Sequence, residues 1–476
     1  MTYHRWLGIF AVVGGILFHL TLGTLYTWGN ISIYVISAMR YFTPLSVDPP
    51  RLSYAAWVVA TLATGQCLGM PLGGLIERYL GSRLTSFIGG AIMCTGIFIS
   101  QFTLGSDKLF LFTYGVMYGF GIGIAYTSPL NCAIRWFPRY KGLISGIIVA
   151  GFGGGASIFN QVQTFYVNPG NLSPSFAPYP QNPLEKYFNS FALFKRVKLL
   201  FPFLAIFYIT MQIVGCSLLF KNPEEGIEEP PSLTDEESEV IQALEKASLL
   251  DPPTNLLPSE FIDFEVKEAL KSASFYALMM LFFLNGMAIS FLATFWKVIG
   301  TEISLSAILI SDRALSLIGS FGSGANAFGR IAWGSCTDRF GIVFTASFLS
   351  TFWALSLLAL PFVAQLGSFP YGVVIFCNFF CLGGNFSIFF ATLCKLFGKT
   401  NIGIIYGIFF VAQLFSAYVV AIFSHTLYNS LGPLLSSVVF SFFPAMAALL
   451  AVSYRYFGID ILSPPKNGYM KKNVTE

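Results

Sequence analysis

The sequence predicts an all-α membrane protein with twelve transmembrane helices in two pseudo-symmetric bundles of six. The first observation behind this prediction is composition, because 55% of the 476 residues are hydrophobic and only 11% are charged, far from the balance of soluble domains. The second is that apolar runs of about 20 residues, enough to cross a bilayer as a helix, recur along the chain. The third is that short motifs appear twice at one fixed spacing.

Twelve apolar segments have the length of a transmembrane helix. They cover about residues 7–38, 55–76, 86–104, 110–134, 142–165, 198–220, 273–297, 313–335, 342–363, 370–393, 403–424 and 433–456. This segmentation places every Lys, Arg, Asp and Glu except Arg330 in a loop, in a tail or at a helix end. We therefore expect Arg330 to be the only full charge inside a span.

The spans divide into an N-terminal bundle over residues 1–220 and a C-terminal bundle with a tail over residues 273–476. Residues 221–272 between them hold 14 of the 23 acidic residues and several prolines. This composition predicts a solvated cytosolic linker, with a site for a regulatory partner as the alternative. Within it, Thr234 can begin a short helix by accepting hydrogen bonds from the free amides of the first turn.

The positive charges are distributed unequally between the two sides of the membrane. If both tails are inside, 17 Lys and Arg residues lie on the inner side and 9 on the outer side, and Arg330 completes the total of 27. Since Lys and Arg are enriched in cytoplasmic loops, this bias predicts cytosolic termini. We expect a multi-pass protein of the plasma membrane.

Two turn motifs repeat after 261 residues. Glu77 and Asp338 are separated by this distance, as are Arg78 and Arg339. A shared offset indicates a duplicated six-helix unit. We expect each turn to end a helix tightly and to act as a conformational latch at the cytosolic face. The latch residues are Gly74, Glu77, Arg78, Gly81 and Arg83 in the first half and Gly334, Asp338, Arg339 and Gly341 in the second.

Longer motifs resemble a known family. The first span reads Leu22-Gly-Thr-Leu-Tyr-Thr-Trp28, and the eighth reads Asn326-Ala-Phe-Gly-Arg330 ahead of a latch motif. With the segment 121–153, these resemble the oxalate/formate antiporter family and the neighbouring monocarboxylate porters of the major facilitator superfamily. The resemblance covers all twelve spans. It implies the major facilitator fold and carboxylate transport by alternating access, with Arg330 in the position of the family's substrate-binding arginine.

The position of Arg330 agrees with that role. A guanidinium in the hydrocarbon layer costs several kcal/mol and usually faces a bundle interior or a wet cavity. Arg330 precedes Asp338 by eight residues, which places it about 12 Å from the cytosolic turn of a helix. A guanidinium can hold one carboxylate through two parallel hydrogen bonds. The alternative is a structural arginine that binds backbone carbonyls or extends to the inner face.

Two departures from the resembled families restrict substrate and coupling. Oxalate carriers have a lysine just after a Tyr-Gly pair of the eleventh span, and here Gln413 stands in its place. A neutral amide would leave a dianion half neutralised, so a monoanion is favoured; Gln413 can also serve as a helix–helix hydrogen bond. Monocarboxylate–proton symporters have an acidic residue where this chain has Asn326. With no Asp or Glu inside any predicted span, anion exchange or facilitated diffusion is favoured.

Four further residues are candidates for the cavity. The hydroxyls of Tyr26 and Tyr126 can line a small carboxylate site, although aromatic residues are common in this chain and mostly pack helices. Asn385 is a polar candidate of the tenth span. His19 carries the one imidazole inside a span, and it is either a proton site or a packed core residue.

The sequence gives little support for an enzyme. Its three histidines lack zinc spacing, and its eight cysteines fall within spans or near cytosolic ends. We expect a transporter without cofactor or metal that acts as a monomer in the lipid bilayer, with a small organic anion as substrate and no nucleic-acid partner. The favoured substrates are lactate, pyruvate or formate. The alternatives are a larger organic monoanion, such as a vitamin acid, and an anion sensor that does not transport.

Overall fold

A computed structural model of the chain describes residues 2–137, 141–180, 185–222, 264–306, 310–398 and 401–456. Most of the predicted linker, including the helix expected after Thr234, and the C-terminal tail from residue 457 lie outside the described residues. Within them the chain is almost entirely helical, and the one isolated β-bridge joins Phe176 to Tyr187.

Long apolar segments form long helices because only a helix satisfies all its backbone hydrogen bonds inside a bilayer. The helices are α1 (Thr2–Leu22), α2 (Trp28–Phe42), α3 (Tyr54–Thr103), α4 (Asp107–Phe110), α5 (Tyr118–Ala125), α6 (Ser128–Ile134), α7 (Lys141–Val167), α8 (Phe191–Leu218), α9 (Val266–Ala269), α10 (Ala273–Ser306), α11 (Asp312–Val363), α12 (Ser368–Phe397), α13 (Ile402–Phe409) and α14 (Val411–Tyr456). A 3₁₀ segment, Gly23–Thr27, joins α1 to α2, and a π-helical segment, Leu111–Met117, joins α4 to α5.

The described helices account for the twelve predicted spans. Nine of the described stretches are long and apolar enough to cross a membrane. Two of these nine stretches, α3 and α11, each contain one backbone break and supply two spans, which gives eleven. Helix α14 is also broken, at Gly432, but its two parts are already separate members of the nine. Helix α7 adds the twelfth span. The breaks in α3 and α11 fall at Gly81 (φ 74°, ψ 166°) and Gly341 (φ 78°, ψ 167°), in a region of backbone conformation that is essentially restricted to glycine. The side of the protein with these two turns is called the inner side below.

Close helix contacts inside each half depend on small residues, as is typical of membrane bundles. A Cβ atom on Gly119 would lie 2.1 Å from the carbonyl oxygen of Leu62, where the second and fourth spans meet. A Cβ atom on Gly383 would lie 2.1 Å from the carbonyl oxygen of Asn326, where the eighth and tenth spans meet. The same pair of spans therefore packs backbone to backbone in both halves.

The outer segment between α7 and α8 is attached to the first half by a buried carboxylate. Glu185 is fully buried, and its oxygens accept hydrogen bonds from Arg51 Nη2 at 2.5 Å and from the Leu52 amide at 3.3 Å. Hydrogen bonding to Glu185 raises the pKa of the Arg51 guanidinium above its ordinary value. The contact fixes this segment over the outer end of the second span.

The distribution of charge differs from the prediction. Helix α10 continues nine residues beyond Lys297, whose side chain is fully buried, and α11 begins at the buried Asp312. Glu77, inside α3, is only 8% exposed. Asp312 is the first residue of α11, and Glu77 lies four residues before the break at Gly81, so both acids lie at helix ends. Lys297 lies inside α10, and the prediction that Arg330 is the only charge inside a span is therefore wrong. The reason is that the helices extend beyond the apolar runs that were used to place their ends.

The glycine at the α3 break can be tested by substitution. A Cβ atom at Gly81 would meet nothing within 4 Å, so Gly81→Ala changes only the backbone energy, and we expect a loss of about 1–3 kcal/mol of stability. A Cβ atom at Gly146 in α7 would also meet open space, but its backbone is helical, so Gly146→Ala should be neutral or stabilising. Thermal unfolding of the purified variants measures both. Equal midpoints for the two variants would contradict the assignment.

Candidate functional site

A cavity of about 60 Å³ lies between the two halves of the protein. The first, second, fourth and fifth spans supply one wall, and the seventh, eighth, tenth and eleventh supply the other. Much of the lining is apolar. Its charged and polar members include Tyr26, Gln66, Tyr126, Arg330, Tyr406 and Gln413. The structure thus brings four of the predicted substrate-binding residues into one cavity.

Arg330 is the only charged side chain among these lining residues, and it is 3% exposed. Its Nε donates a hydrogen bond to Asn326 Oδ1 at 3.2 Å, and its Nη2 donates one to the hydroxyl of Tyr26 at 3.2 Å. The rings of Phe152 and Phe386 lie 5.3 Å and 5.2 Å from the guanidinium carbon. Aromatic faces attract a cation through their quadrupole, so the side chain is held on several sides by neutral groups.

No carboxylate pairs with Arg330 within the described residues. Burying a charge without an opposite charge costs several kcal/mol, and neutral hydrogen bonds and aromatic faces offset only part of that. Both hydrogen bonds described above go to side chains, and one of the two acceptors, Tyr26, itself lines the cavity. This arrangement favours an anion site over the alternative in which Arg330 binds backbone carbonyls or extends to the inner face.

Local sequence explains how the guanidinium reaches this place. Asn326 and Arg330 are four residues apart in α11, so they lie on the same helix face one turn apart. Tyr26 belongs to the 3₁₀ segment of the first span. On the facing helix α7, a Cβ atom at Gly153 would lie 3.0 Å from Arg330 Nε, so the glycine leaves the space that the guanidinium needs.

Two other predicted residues line the cavity beside Arg330. Tyr126 is 6% exposed, and its ring meets that of Phe152 edge-on at a centroid distance of 5.1 Å. Gln413 lines the cavity and also donates from Nε2 to the hydroxyl of Ser290 at 3.1 Å. One amide thus lines the cavity and also links α14 to α10.

Three predicted residues, Asn385, His19 and Asn326, are not among the residues that line the cavity. Asn385 is fully buried in the second half, where its Oδ1 accepts a hydrogen bond from Asn285 Nδ2 at 3.0 Å. His19 is fully buried, its Nδ1–H donates to the carbonyl of Gly15 at 3.0 Å, and its ring packs 5.5 Å from that of Tyr126. The contacts of His19 are those of a packed core residue. Asn326 contacts the site through Arg330.

Sequence reasoning missed Gln66, Tyr406 and the two phenylalanines around Arg330. Gln66 is the single Asn or Gln residue of the second span. This rarity could have identified it as a candidate cavity residue. Tyr406 belongs to the Tyr-Gly pair that served to locate Gln413, and that motif could have suggested the tyrosine as well. Phe152 and Phe386 gave no such signal, because 51 phenylalanines are spread over the chain.

The two latch motifs occupy equivalent places but differ in burial. Glu77 accepts a hydrogen bond from Asn131 Nδ2 at 3.0 Å and lies 3.9 Å from Arg135 Nη2 at the end of the fourth span. Asp338 pairs with Lys395 at 2.6 Å at the end of the tenth span. The Glu77 side chain is 7% exposed, whereas that of Asp338 is 65% exposed. The latches thus join the same spans in each half, with very different solvent access.

The arginines of the first latch make further contacts at the inner side. Arg83 Nε donates to the carbonyl of Leu219 at 3.1 Å, which links the third span to the end of the sixth. Arg78 Nη2 donates to Asn401 Oδ1 at 3.2 Å, at an exposed position. The Arg78 contact joins the two halves.

The difference in burial predicts unequal effects of removing the two acids. Glu77→Ala should lower stability by about 1.5–3 kcal/mol, because buried donors lose a charged acceptor. Asp338→Ala should cost at most about 1 kcal/mol, since its ion pair is solvated. Thermal unfolding of the two purified variants is the measurement. A larger effect at Asp338 than at Glu77 would show that burial does not decide the strength of the latch.

Comparison with known proteins is consistent with this architecture. The sequence profile of the Major Facilitator Superfamily matches residues 17–422. Apicoplast pyruvate carrier 1 of Toxoplasma gondii is 36% identical over 452 residues, which cover 87% of this chain and 82% of that relative. The oxalate:formate antiporter of Oxalobacter formigenes is 25% identical over 386 residues, covering 80% and 78%.

Solved structures show the same fold. A D-xylose–proton symporter superposes with a TM-score of 0.63 at 13% identity, and the match covers 97% of this chain and 98% of that one. The predicted all-α membrane fold and the predicted family resemblance are confirmed. The protein is a multi-pass integral membrane transporter and not an enzyme.

Proposed function

The chain belongs to the major facilitator superfamily, and we propose that it carries small monocarboxylate anions of the lactate, pyruvate or formate class by alternating access. The observation that carries this proposal is the buried guanidinium of Arg330, which faces the cavity between the halves without a carboxylate partner among the described residues. A substrate carboxylate supplies the missing negative charge. The names of the two sequence relatives, a pyruvate carrier and an oxalate:formate antiporter, support this class of substrate.

The size of the cavity favours a small substrate. Its volume is about 60 Å³, and a water-sized unit needs about 10–15 Å³ on this scale, so there is room for about four to six heavy atoms. Formate, pyruvate and lactate fall at or below this size. A larger organic monoanion such as a vitamin acid remains the alternative, and it would require the cavity walls to move apart.

The polar groups of the cavity favour one negative charge. Arg330 is the single cation of the lining, and the remaining hydrogen-bonding groups include the amides of Gln66 and Gln413. An amide can bind a keto, hydroxyl or second oxygen atom of a small acid. It cannot neutralise a second carboxylate, and an unpaired charge in this setting is costly.

Anion exchange or facilitated diffusion is the mode of transport that we propose. The described lining of the cavity contains no Asp or Glu, and Asn326 lies one turn from Arg330, where an acid could otherwise exchange a proton. The buried acids Glu77 and Asp312 are not among the lining residues. Binding of a monoanion therefore neutralises Arg330, and no other group in the described lining has to change its charge.

We also propose cytosolic termini, a plasma-membrane location and a monomeric carrier. The excess of 17 inner over 9 outer Lys and Arg residues supports the orientation. Imaging of a tagged chain tests the location, and antibody access to the tag in intact and permeabilised cells tests the orientation. Staining of an internal organelle would contradict the plasma-membrane location. Staining of the tag in unpermeabilised cells would contradict the cytosolic termini.

Uptake into proteoliposomes tests the proposed function. Labelled formate, lactate and pyruvate should accumulate, and unlabelled anion inside should accelerate exchange. We expect Arg330→Gln to reduce uptake about tenfold to a hundredfold, since a charge-assisted bond to a buried group is lost. Arg330→Lys, which retains the charge without the planar pair of donors, should be intermediate.

The outcomes of this experiment separate the alternatives. Binding without accumulation would identify an anion sensor. Uptake that depends on a pH gradient would contradict exchange or facilitated diffusion. Wild-type uptake by a folded Arg330→Gln protein would remove the central premise, and unfolding curves of the variants establish that they are folded.

Gln413 offers a second prediction on charge. In Gln413→Lys, a second cation would line the cavity, and a dianion would then be fully neutralised. We expect oxalate to become an effective competitor of labelled formate in this variant and to compete weakly in the parent. Gln413→Met, which is similar in size and neutral, is the matched control. Oxalate competition of equal strength in all three proteins would exclude a cavity role for this position.

A further inference from the structure

A second buried ionic group lies between the two halves, on the side away from the Gly81 and Gly341 turns. Lys297 Nζ and Asp312 Oδ1 are 2.9 Å apart, and their side chains are 0% and 5% exposed. Lys297 belongs to α10 and Asp312 begins α11, so both charges are in the second half. The pair is a neutral unit carried by one half alone.

The first half contacts this pair through uncharged groups. Lys297 Nζ donates to Asn30 Oδ1 and to the hydroxyl of Tyr34, each at 2.9 Å. Asn168 Nδ2 donates to Asp312 Oδ2 at 2.8 Å, and the Tyr34 hydroxyl donates to the same oxygen. Four hydrogen bonds to charged atoms therefore cross from one half to the other, and Tyr34 contacts both charges.

This cluster lies directly outside the cavity. Ala293 lines the cavity, and Lys297 follows it by four residues in α10, which is one helical turn farther out. In the first span, Trp28 lines the cavity and Asn30 follows it by two residues. The pair thus lies between the cavity and the outer side of the protein.

We propose that Lys297 and Asp312, with Asn30, Tyr34 and Asn168, form the outer gate of the carrier. The gate proposal takes alternating access from the proposed function, and it does not depend on which substrate is carried. When the halves separate, the two charges stay together on the second half, and water replaces Asn30, Tyr34 and Asn168. Opening therefore separates no opposite charges, which would be expensive at low dielectric. The gate stabilises the closed outer side through charge-assisted bonds and still opens without charge separation.

The inner side has a weaker connection of the same kind. Arg78 and Asn401 are joined by one hydrogen bond at an exposed position, where water competes for both groups. Of these two described connections between the halves, the buried outer cluster is the stronger. Removal of the outer gate should consequently shift the protein toward an outward-open state.

Single and paired substitutions distinguish a gate from a general stabilising contact. Asp312→Asn leaves the Lys297 cation buried without its anion, and Lys297→Gln leaves the Asp312 carboxylate without its cation. Both should open the outer side, because solvation of the remaining charge is then favoured. The double variant Lys297→Gln with Asp312→Asn contains no buried charge, and it should close again.

Accessibility of a reporter thiol measures the opening without any substrate. In the background of Ala293→Cys, a membrane-impermeant thiol reagent is added to the outer side of reconstituted protein, and the parent without this cysteine corrects for the eight native thiols. We expect each single variant to react at least about tenfold faster than the reporter protein, and the double variant to return to within about threefold of it. Arg313→Gln is the matched control, because Arg313 also contacts the other half but at an exposed position, and it should react at the reporter rate.

Two results would overturn the proposal. One is labelling of the single variants at the reporter rate, and the other is labelling of the double variant as fast as the singles. If a single variant does not fold, Tyr34→Phe replaces it, since this change removes the bridging hydroxyl without touching a charge, and unchanged labelling of Tyr34→Phe would also overturn the gate. Because no substrate is used, failure of the transport assay and failure of the gate are separate results.

Discussion

The cost of burying one guanidinium governs the centre of this protein. Arg330 lies in the cavity between the halves with neutral partners, Asn326 and Tyr26, and with aromatic rings over its plane. These groups hold the side chain in place and leave its charge uncompensated among the described residues. In the proposed function an anionic solute completes the site, and its affinity follows from the same electrostatic cost that makes Arg330 unusual in a membrane helix.

Two buried ionic groups lie between the described halves, and they differ in whether an opposite charge neutralises them. This difference separates the roles that we propose for them. Arg330 has a net charge that a solute can neutralise, whereas Lys297 and Asp312 neutralise each other at 2.9 Å. An unpaired charge favours binding, and a paired one favours closure when neutral groups of the facing half bind to it. Both groups lie at the boundary between the halves. If the halves move apart, each charge loses contacts to the facing half and gains contact with water.

The duplication is expressed in backbone geometry more strictly than in side chains. Asn171 and Gly432 are 261 residues apart, like the latch residues, and both have positive φ, 52° and 72°. Positive φ is uncommon outside glycine, and asparagine is one of the residues enriched there. The latch acids retain their position but not their burial, since Glu77 is enclosed by polar partners and Asp338 faces water. Each half therefore keeps the turns that shape it and varies the strength of the contacts.

From the amino-acid sequence alone one can predict twelve spans, two halves and one arginine, Arg330, deep within a membrane helix. These properties depend on local hydrophobicity, on repeat spacing and on the rarity of charge in membrane helices, all of which can be read along the chain. Which polar residues line the cavity depends on how each helix is rotated by its neighbours. For this reason Gln66 lines it and Asn385 does not, although both are amides within spans.

The partnership of Lys297 and Asp312 was decided only by tertiary structure. The polar residues after Lys297 have the composition of a loop end, yet α10 continues through them to Ser306. Asn30 and Tyr34 of the first half bind Lys297 there, more than 260 residues away in the chain. Lys297 is buried because the two halves pack against each other. The residues next to it in the chain do not indicate this burial.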